Sequence, residues 1–529
     1  MNQSEFLENL KNPSLYCNDV KKIKILQTHI SYVVLTGKYA YKIKKPVNFG
    51  FLDFSTLEKR KYFCEEELRL NKRLCPDIYI DIVPISEKNN NLQMNDEGNV
   101  IDYALKMKEF SQKNIMTNLL KQEKIDEDIV DKICYILKDF YRRSEHSNEI
   151  NKFGLVETVK KNTDENFQQT ESVIDDTIKK EIFDFIKSNT DKFLKQKENL
   201  FNDRIENGHI CDCHGDLHSG NIVVSEKEVC IFDCIEFNKR FRFSDITSDI
   251  AFLAMDFDYQ GFPYLSSYFI KKYIDESKDS KISSLLNFYK CYRAYVRGKV
   301  IGFRLNETNI DKNEKIQIKN SAKKYFDLSY YYSKLFSMIF EKEKPLLFIT
   351  SGLTGTGKTT VANKISVDYN AHIISTDSVR KELEGIDKFE RHHDAYNTGL
   401  YSPEKMLFTY NKIFEKADTL LKNSKNVILD ATFKNNNLRD KAKEIAINNK
   451  SNFLILHCTC PENLVKRYLE NRVKKKSVSD GRWEIYLKQK NSFESFNSKD
   501  NIVEIDISKK SFVYQTRIFN EIFKKINGV

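Results

Sequence analysis

Residues 352–359 read Gly-Leu-Thr-Gly-Thr-Gly-Lys-Thr, and this run constrains the fold more than any other stretch of the chain. A loop of the pattern G-x-x-x-x-G-K-[ST] can wrap a phosphate in backbone N–H groups when a buried strand delivers it and a helix carries it away. Both flanks are present. Pro345 to Ser351 (PLLFITS) is an apolar strand, and Lys358 to Ile365 (KTTVANKI) opens a helix. Further apolar runs follow: HIIST ahead of Asp377, NVILD ending at Asp430, FLILHC and NIVEID. Their alternation with helical stretches predicts an α/β domain built on a parallel sheet.

Ligands of such sheets sit beyond the carboxyl ends of the strands, which is where Asp377 and Asp430 fall. The loop residues Gly352, Leu353, Thr354, Gly355, Thr356, Gly357, Lys358, Thr359 and Thr360 are the candidate nucleotide cradle. Lys358 is placed to meet the β and γ phosphates and to act in transfer. Thr359 offers a hydroxyl to Mg²⁺, and Asp430 suits the position that holds the ion through water. Asp377-x-x-Arg380 pairs a candidate catalytic base with an arginine for an anionic substrate group, although Asp377 also reads as a helix N-cap. In CPENLVKRYLENRVKKK, Arg467 (nucleotide-binding) and Arg472 (catalytic) read as lid arginines, and Trp483 as packing beside that lid.

A second signature lies far upstream. His214-Gly-Asp216-Leu-His218-Ser-Gly-Asn221 has the spacing of a kinase catalytic loop, with Asp233 ending the apolar strand that follows. Asp216 is the candidate base for a substrate hydroxyl, and Asn221 and Asp233 are hard oxygen ligands for Mg²⁺. Residues 28–45 read as two strands turning at Thr36-Gly37-Lys38, and alternation puts Ala40, Lys42 and Lys44 on one face. The helix after them, with Ser55 as N-cap, carries Glu65, Glu66 and Glu67. Lys42 is the preferred phosphate lysine and Glu67 its preferred partner, with Glu66 the close alternative. Two unrelated phosphate-handling signatures predict two domains, 1–335 and 344–529, with the junction near Pro345 where a Tyr-rich helix meets a new strand.

The bulk properties fit. A chain of 529 residues exceeds what one hydrophobic core of up to about 250–300 residues normally supports. No apolar run of about 18 residues occurs, and the first residues lack the apolar segment of a secretory signal, so a cytoplasmic location off the membrane is expected. The 11 cysteines are scattered, as in a reducing compartment, and Cys211-x-Cys213 and Cys458-x-Cys460 lack the matching second pairs of a metal site. The net charge of +10 admits nucleic acid as a partner without requiring it. Oligomeric state is not encoded in any feature above.

Through HGDLHSGN and the IFD strand, residues 20–330 resemble the aminoglycoside phosphotransferase family, whose fold also serves choline and fructosamine kinases. That resemblance implies an α+β, two-lobed, protein-kinase-like domain. It implies adenine held at Tyr103–Met107 and Asp249 steadying the catalytic loop. The family's glycine loop is replaced by Thr28-His29-Ile30-Ser31. A cationic aminoglycoside would want clustered carboxylates, and Asp256 with Asp258 is the one close pair near the expected pocket, so such a substrate is disfavoured. Through GLTGTGKTT, STDSVR, ILDATF with Arg439, and CPENLVKR, residues 345–510 resemble small P-loop kinases of the polynucleotide 5′-kinase, gluconate kinase and zeta-toxin group. The tandem order resembles a bacterial fusion of the two domain types. It implies a bifunctional ATP- and Mg²⁺-dependent phosphotransferase acting on small hydroxyl compounds. The alternatives are a nucleotide-sensing regulator or a second domain acting on polynucleotide ends.

Overall fold

The computed structural model describes residues 3–527 except 17–19, 21, 51, 89–90, 96–97, 226–227, 308–309, 342–343, 388–389, 391–397, 473–480 and 510–511, with backbone alone at 3, 472, 512, 513 and 527. The expected hairpin forms from β2 (Ser31–Leu35) and β3 (Tyr39–Lys44), and Gly37 supplies the turn's positive φ of 88°. Alternation then sorts the side chains. Tyr32, Val34, Tyr41 and Ile43 pack with Leu10, Leu15 and Tyr16 on one face. Ala40 packs with Tyr79, Leu105 and Met107 on the other. Four further strands, β1 (Lys24–Gln27), β4 (Tyr79–Lys88), β5 (Asn91–Gln93) and β6 (Asn99–Lys108), complete an antiparallel sheet of order β1-β2-β3-β6-β4-β5.

Helix Leu57–Asn71 follows this hairpin, capped by the Thr56 side chain on Lys59 N–H. Ser55, the expected cap, bonds Asp53 instead, because the turn ahead of the helix needs that side chain one residue earlier. Downstream come two small antiparallel pairs, β7 (Ile210–Asp212) with β10 (Phe243–Asp245) and β8 (Ile222–Val224) with β9 (Val229–Ile231). A disulfide joins Cys75, just past the helix, to Cys230 on β9. Reading every thiol as reduced missed it, since cysteines 155 residues apart carry no local pairing signal.

The C-terminal sheet is the predicted parallel one. Its strands β11 (Leu346–Ser351), β12 (Ala371–Ser375), β13 (Asn426–Asp430), β14 (Asn452–Thr459) and β15 (Ile502–Asp506) run in the order β12-β13-β11-β14-β15. β11 is buried at every residue, so it reads as an unbroken apolar run rather than an alternating one. Leu347, Ile349, Val427 and Leu429 pack there with Ile413 and Phe414 of helix Pro403–Lys422. Each such side chain contributes roughly 1.5–3 kcal/mol of burial.

Compactness does not follow one cut near residues 335–344. One unit comprises residues 1–165, 194–256 and 272–279; the other comprises 166–193, 257–271 and 280–529. The second unit is tied internally by polar bonds between its helices. Asn287 donates to the Asp368 carbonyl at 2.8 Å, Tyr331 to the Asp368 carboxylate at 2.5 Å, and Lys271 to Asn363 at 2.6 Å.

The first unit has a comparable tie in Arg204, which is 1% exposed and bonds Asp245 at 2.8 Å and Asp279 at 2.7 Å. Removing the cation leaves two buried carboxylates without it. Arg204→Ala is therefore expected to lower the stability of this unit by about 3–5 kcal/mol. Chemical denaturation followed by circular dichroism checks this, and an unshifted midpoint contradicts it.

Candidate active sites

The first site starts from β3. Lys42 leaves the strand on the face opposite Tyr41 and Ile43, and its Nζ lies 2.7 Å from Glu67 Oε1 and 2.7 Å from Asp233 Oδ1. Three candidates far apart in sequence thus converge on one amine. Glu66 turns to Arg69, 2.8 Å away, because consecutive helix residues point about 100° apart. The choice between the two glutamates is settled as Glu67. Burial works to raise the Glu67 carboxyl, but Lys42 and Lys44 outweigh it and hold it at about 2. Burial likewise opposes the charge on Lys42, yet Asp233 and Glu67 lift it well above the usual lysine range.

The catalytic loop is fixed mostly through its backbone. Asp249 accepts the N–H groups of His214 (2.7 Å) and Gly215 (3.0 Å), the role expected of it. His214 Nδ1 accepts Asp216 N–H at 3.2 Å, which leaves its Nε2–H to donate to the Phe232 carbonyl at 3.0 Å. Burial lowers the His214 imidazole, so it stays neutral in that tautomer. Asn221 Nδ2 donates to Asp216 Oδ2 at 3.0 Å, and His218 Nε2 lies 3.3 Å from the same oxygen. Asp233 sits at φ +64°, a conformation that costs a non-glycine residue and is kept where a site demands it. Its N–H donates to the Tyr79 hydroxyl at 3.2 Å.

One expectation needs correction. Tyr103–Met107 is not a free hinge: it lies inside β6, laddered to β3 on one side and β4 on the other, and the strand continues to Lys108. Its backbone is taken up by the sheet, and the Met107 side chain joins the apolar cluster with Ala40. The Thr28–Ser31 segment is a turn closed on itself, with Thr28 N–H on the Ser31 carbonyl and Ser31 N–H on Thr28 Oγ1, both at 2.9 Å. Asp256 and Asp258 are not open to a cation. Asp256 accepts Ser219 N–H at 2.9 Å, while Asp258 takes Lys290 and Tyr332, each at 2.6 Å. Lys44 and Glu236, which bond each other beside Glu67, were not singled out; alternation on β3 offered the first and no local pattern the second.

The second site is the loop between β11 and helix Lys358–Asp368. Gly352 has φ +143°, and a Cβ there would lie 2.4 Å from the Cys458 carbonyl oxygen. Gly357, at φ +78°, precedes the helix, and its Cβ would meet Ile507 at 2.6 Å. Glycine at these positions lets the loop close, and some of its N–H groups are taken up within the protein: Gly352 N–H donates to the Thr432 carbonyl at 3.1 Å and Thr356 N–H to the Leu353 carbonyl at 3.4 Å. Thr359 Oγ1 donates to Asp430 Oδ2 at 2.7 Å, and Thr350 Oγ1 to Asp430 Oδ1 at 3.2 Å. Burial pushes the Asp430 carboxyl up, and its hydroxyl partners and Lys358 pull against that. Lys358 Nζ donates to the Leu353 carbonyl at 2.8 Å. The oxygen-rich set of Thr359 and Asp430 suits Mg²⁺.

A cavity of about 510 Å³ opens over this loop, and Asp377, Arg380, Tyr401 and Asp430 line it with the loop residues. Asp377 falls just beyond the carboxyl end of β12, as expected, but is not a cap; it lies in the first turn of helix Thr376–Leu383, and Arg380 one turn later meets it at 2.9 Å. Arg380 is 4% exposed, stacks 4.6 Å from the Tyr401 ring, and contacts the Met406 sulfur at 3.3 Å. Among the described residues its Nε–H has no acceptor. Arg467 is exposed beside Tyr468 and does not line the cavity. The Arg472 side chain and Lys474–Lys476 lie outside the described residues. Gln489 was overlooked: its Oε1 accepts Thr354 N–H at 2.8 Å, over the loop. Trp483 packs as expected, stacked 5.0 Å from Tyr486 in the cluster of Val465 and Leu469. Arg439 is a structural pin, holding the carbonyls of Phe433, Glu494 and Ser495.

A family model described as an AAA domain matches residues 347–496. Among solved structures, an ethanolamine kinase from Plasmodium vivax aligns with 14% identity over 61% of this chain and 89% of its own, at a TM-score of 0.37. A gluconokinase from Sinorhizobium meliloti aligns with 18% identity over 35% of this chain and 94% of its own, at a TM-score of 0.25. The N-terminal part carries a six-stranded antiparallel sheet, and the C-terminal part a P-loop at the end of a strand of a five-stranded parallel sheet, within the span that the AAA model matches. The uncharacterized protein Rv2004c of Mycobacterium tuberculosis is 30% identical over 437 residues, which span 83% of this chain and 84% of that protein. Protein Mb2027c of Mycobacterium bovis matches to the same extent. The chain belongs to the family of these two mycobacterial proteins.

Proposed function

We propose that the chain is a bifunctional phosphotransferase in which each half moves the γ-phosphate of ATP to a hydroxyl of a small molecule. The observation that carries this reading is the completeness of both residue sets. Lys42, Glu67, Asp216, Asn221 and Asp233 stand in one array, and Lys358, Thr359 and Asp430 in another. A regulatory domain that had lost catalysis would be expected to lack a base or a metal ligand.

In the first half Lys42 turns from Asp233 to the nucleotide phosphates while Glu67 keeps hold of it, which frees Asp233 and Asn221 for Mg²⁺. Asp216 accepts the proton of the acceptor hydroxyl, its carboxylate oriented by Asn221 and His218. In the second half the loop N–H groups and Lys358 hold the phosphates, Lys358 leaving the Leu353 carbonyl to do so. Thr359 and Asp430 would hold Mg²⁺, which supplies charge neutralisation on the transferred group. Asp377 is the base, and Arg380, which lines the cavity beside it, holds an anionic group of the acceptor.

Three results are expected. Calorimetric titration with Mg·ATP analogue gives two nucleotide sites, and Asp216→Ala ends transfer by the first half while leaving both sites filled; a single site in the parent protein contradicts this. Lys358→Ala lowers transfer by the second half at least about a hundredfold, a loss of roughly 3 kcal/mol, without changing the fold. Unchanged turnover would make the loop structural. For the acceptor of the second half, a small anionic molecule predicts weak binding of oligonucleotides with little response to salt. A polynucleotide end predicts tight binding that falls with salt at a log–log slope of about −0.7 to −0.9 per phosphate neutralised and that Arg380→Ala weakens.

A further inference from the structure

Lys44 lies two residues beyond Lys42 on β3 and so shares its face. Its Nζ is 2.7 Å from Glu67 Oε2, bonds Glu236 Oε1, and sits 4.6 Å from the Phe54 ring centre. The side chains of Lys44, Glu67 and Glu236 are 1%, 0% and 5% exposed. The two oxygens of Glu67 are therefore divided between two lysines: Oε1 goes to Lys42 and Oε2 to Lys44. A carboxylate held at one oxygen can still swing about its terminal bonds, whereas one held at both has a single orientation.

The two lysines differ in what else they reach. Lys42 also bonds Asp233, whose side chain is 42% exposed and open to solvent. Lys44 faces away from solvent and spends its second bond on Glu236, three residues after Asp233. It thus joins helix Leu57–Asn71 to the chain that leaves the metal carboxylate. Asn71 Oδ1 reinforces the same seam by accepting Cys234 N–H at 2.9 Å. Burying a lysine and two carboxylates is costly, and an apolar trio of similar volume would pack without that cost.

We infer that Lys44 and Glu236 form a positioning pair, which aims Glu67 at Lys42 and anchors the segment after Asp233, so that the phosphate lysine and the metal carboxylate stay in register. The pair acts through Glu67 and does not touch nucleotide. The inference rests on the proposed nucleotide role of the first site.

The test uses the full chain with Lys358→Ala silencing the second site, and reads Mg·AMP-PNP affinity by calorimetry. Lys44→Met and Glu67→Gln are each expected to weaken binding about tenfold or more, as loss of supporting partners commonly does. Because one acts through the other, the double variant should bind within about threefold of Glu67→Gln alone. Losses that multiply in the double variant, or unchanged affinity in Lys44→Met, overturn the inference. Should Lys44→Met not fold, Lys44→Met with Glu236→Gln removes both charges of the pair and leaves neither buried alone. It is expected to weaken binding to the same degree with an unshifted denaturation midpoint, and parent-like affinity overturns the inference. Absence of any binding by the Lys358→Ala parent would overturn the reading of the first site, and this inference with it.

Discussion

Glu67 has no exposed surface, and a carboxylate withdrawn from water keeps its charge only against cations that outweigh the lost hydration. Desolvation of each buried ion costs on the order of several kcal/mol, so neither Lys42 nor Lys44 could be buried without it either. The mutual requirement fixes much of the first unit. It sets the register of β3 against helix Leu57–Asn71, since a slip of one residue would turn both lysines to the face occupied by Tyr41 and Ile43. It also sets the position of the chain around Asp233 and Glu236, which must come close enough to complete the charge balance.

The two sites solve one problem by different means. The first draws charged side chains, proposed to handle phosphate, from a strand, a helix and two loops, and it fixes them through ion pairs. The second is a loop fixed through sterics: glycine at 352 and 357 leaves space that Cys458 and Ile507 fill to contact. Side-chain sites tolerate motion of the carriers and need buried partners to restrain them. Backbone sites need no such partners, but they forbid substitution at the closing glycines. At the first candidate site Lys42 and Lys44 meet buried carboxylates, whereas at the second Lys358 donates to a backbone carbonyl.

What was legible in the sequence follows the same division. The loop at 352–359, its strand and its helix are contiguous, so pattern and chemistry could be read together, and Asp430 was found because strand ends in such sheets carry ligands. The His214–Asn221 loop was legible for the same reason. Glu67 could be preferred over Glu66 but not fixed, since only the packed helix shows which residue faces β3. Lys44 with Glu236, 192 residues apart, and Cys75 with Cys230 were invisible because they are consequences of tertiary approach. The hinge expectation at Tyr103–Met107 failed because resemblance places a function near a segment without counting its hydrogen bonds; β6 has neighbours on both sides. Gln489 escaped notice because an amide on a surface helix has no signature until the loop it caps is in view.

The apparent junction near Pro345 is a boundary of sequence character and not of energetics. Helix Lys312–Glu341, which a reading by composition assigns to the first domain, buries Tyr332 and half-buries Tyr331 against polar groups. Those groups belong to a chain of contacts: Lys290 to Asp258, Tyr332 to Asp258, Tyr331 to Asp368, and Lys364 to Asp368 at 2.6 Å. Lys364 and Asp368 lie on the helix that the phosphate loop opens, five and nine residues past Thr359. Burial lowers the Lys290 ammonium, and Asp258 holds it against that. Separating the helices on either side of residue 345 would leave each carboxylate its lysine, Lys290 for Asp258 and Lys364 for Asp368, but would take Tyr331 from the Asp368 carboxylate and Asn287 from its carbonyl, and buried polar bonds are costly to leave unmade. The helix that carries Lys358 and Thr359 is therefore held in part by residues ahead of the glycine loop, and the second candidate site is rooted in chain that the loop motif does not include.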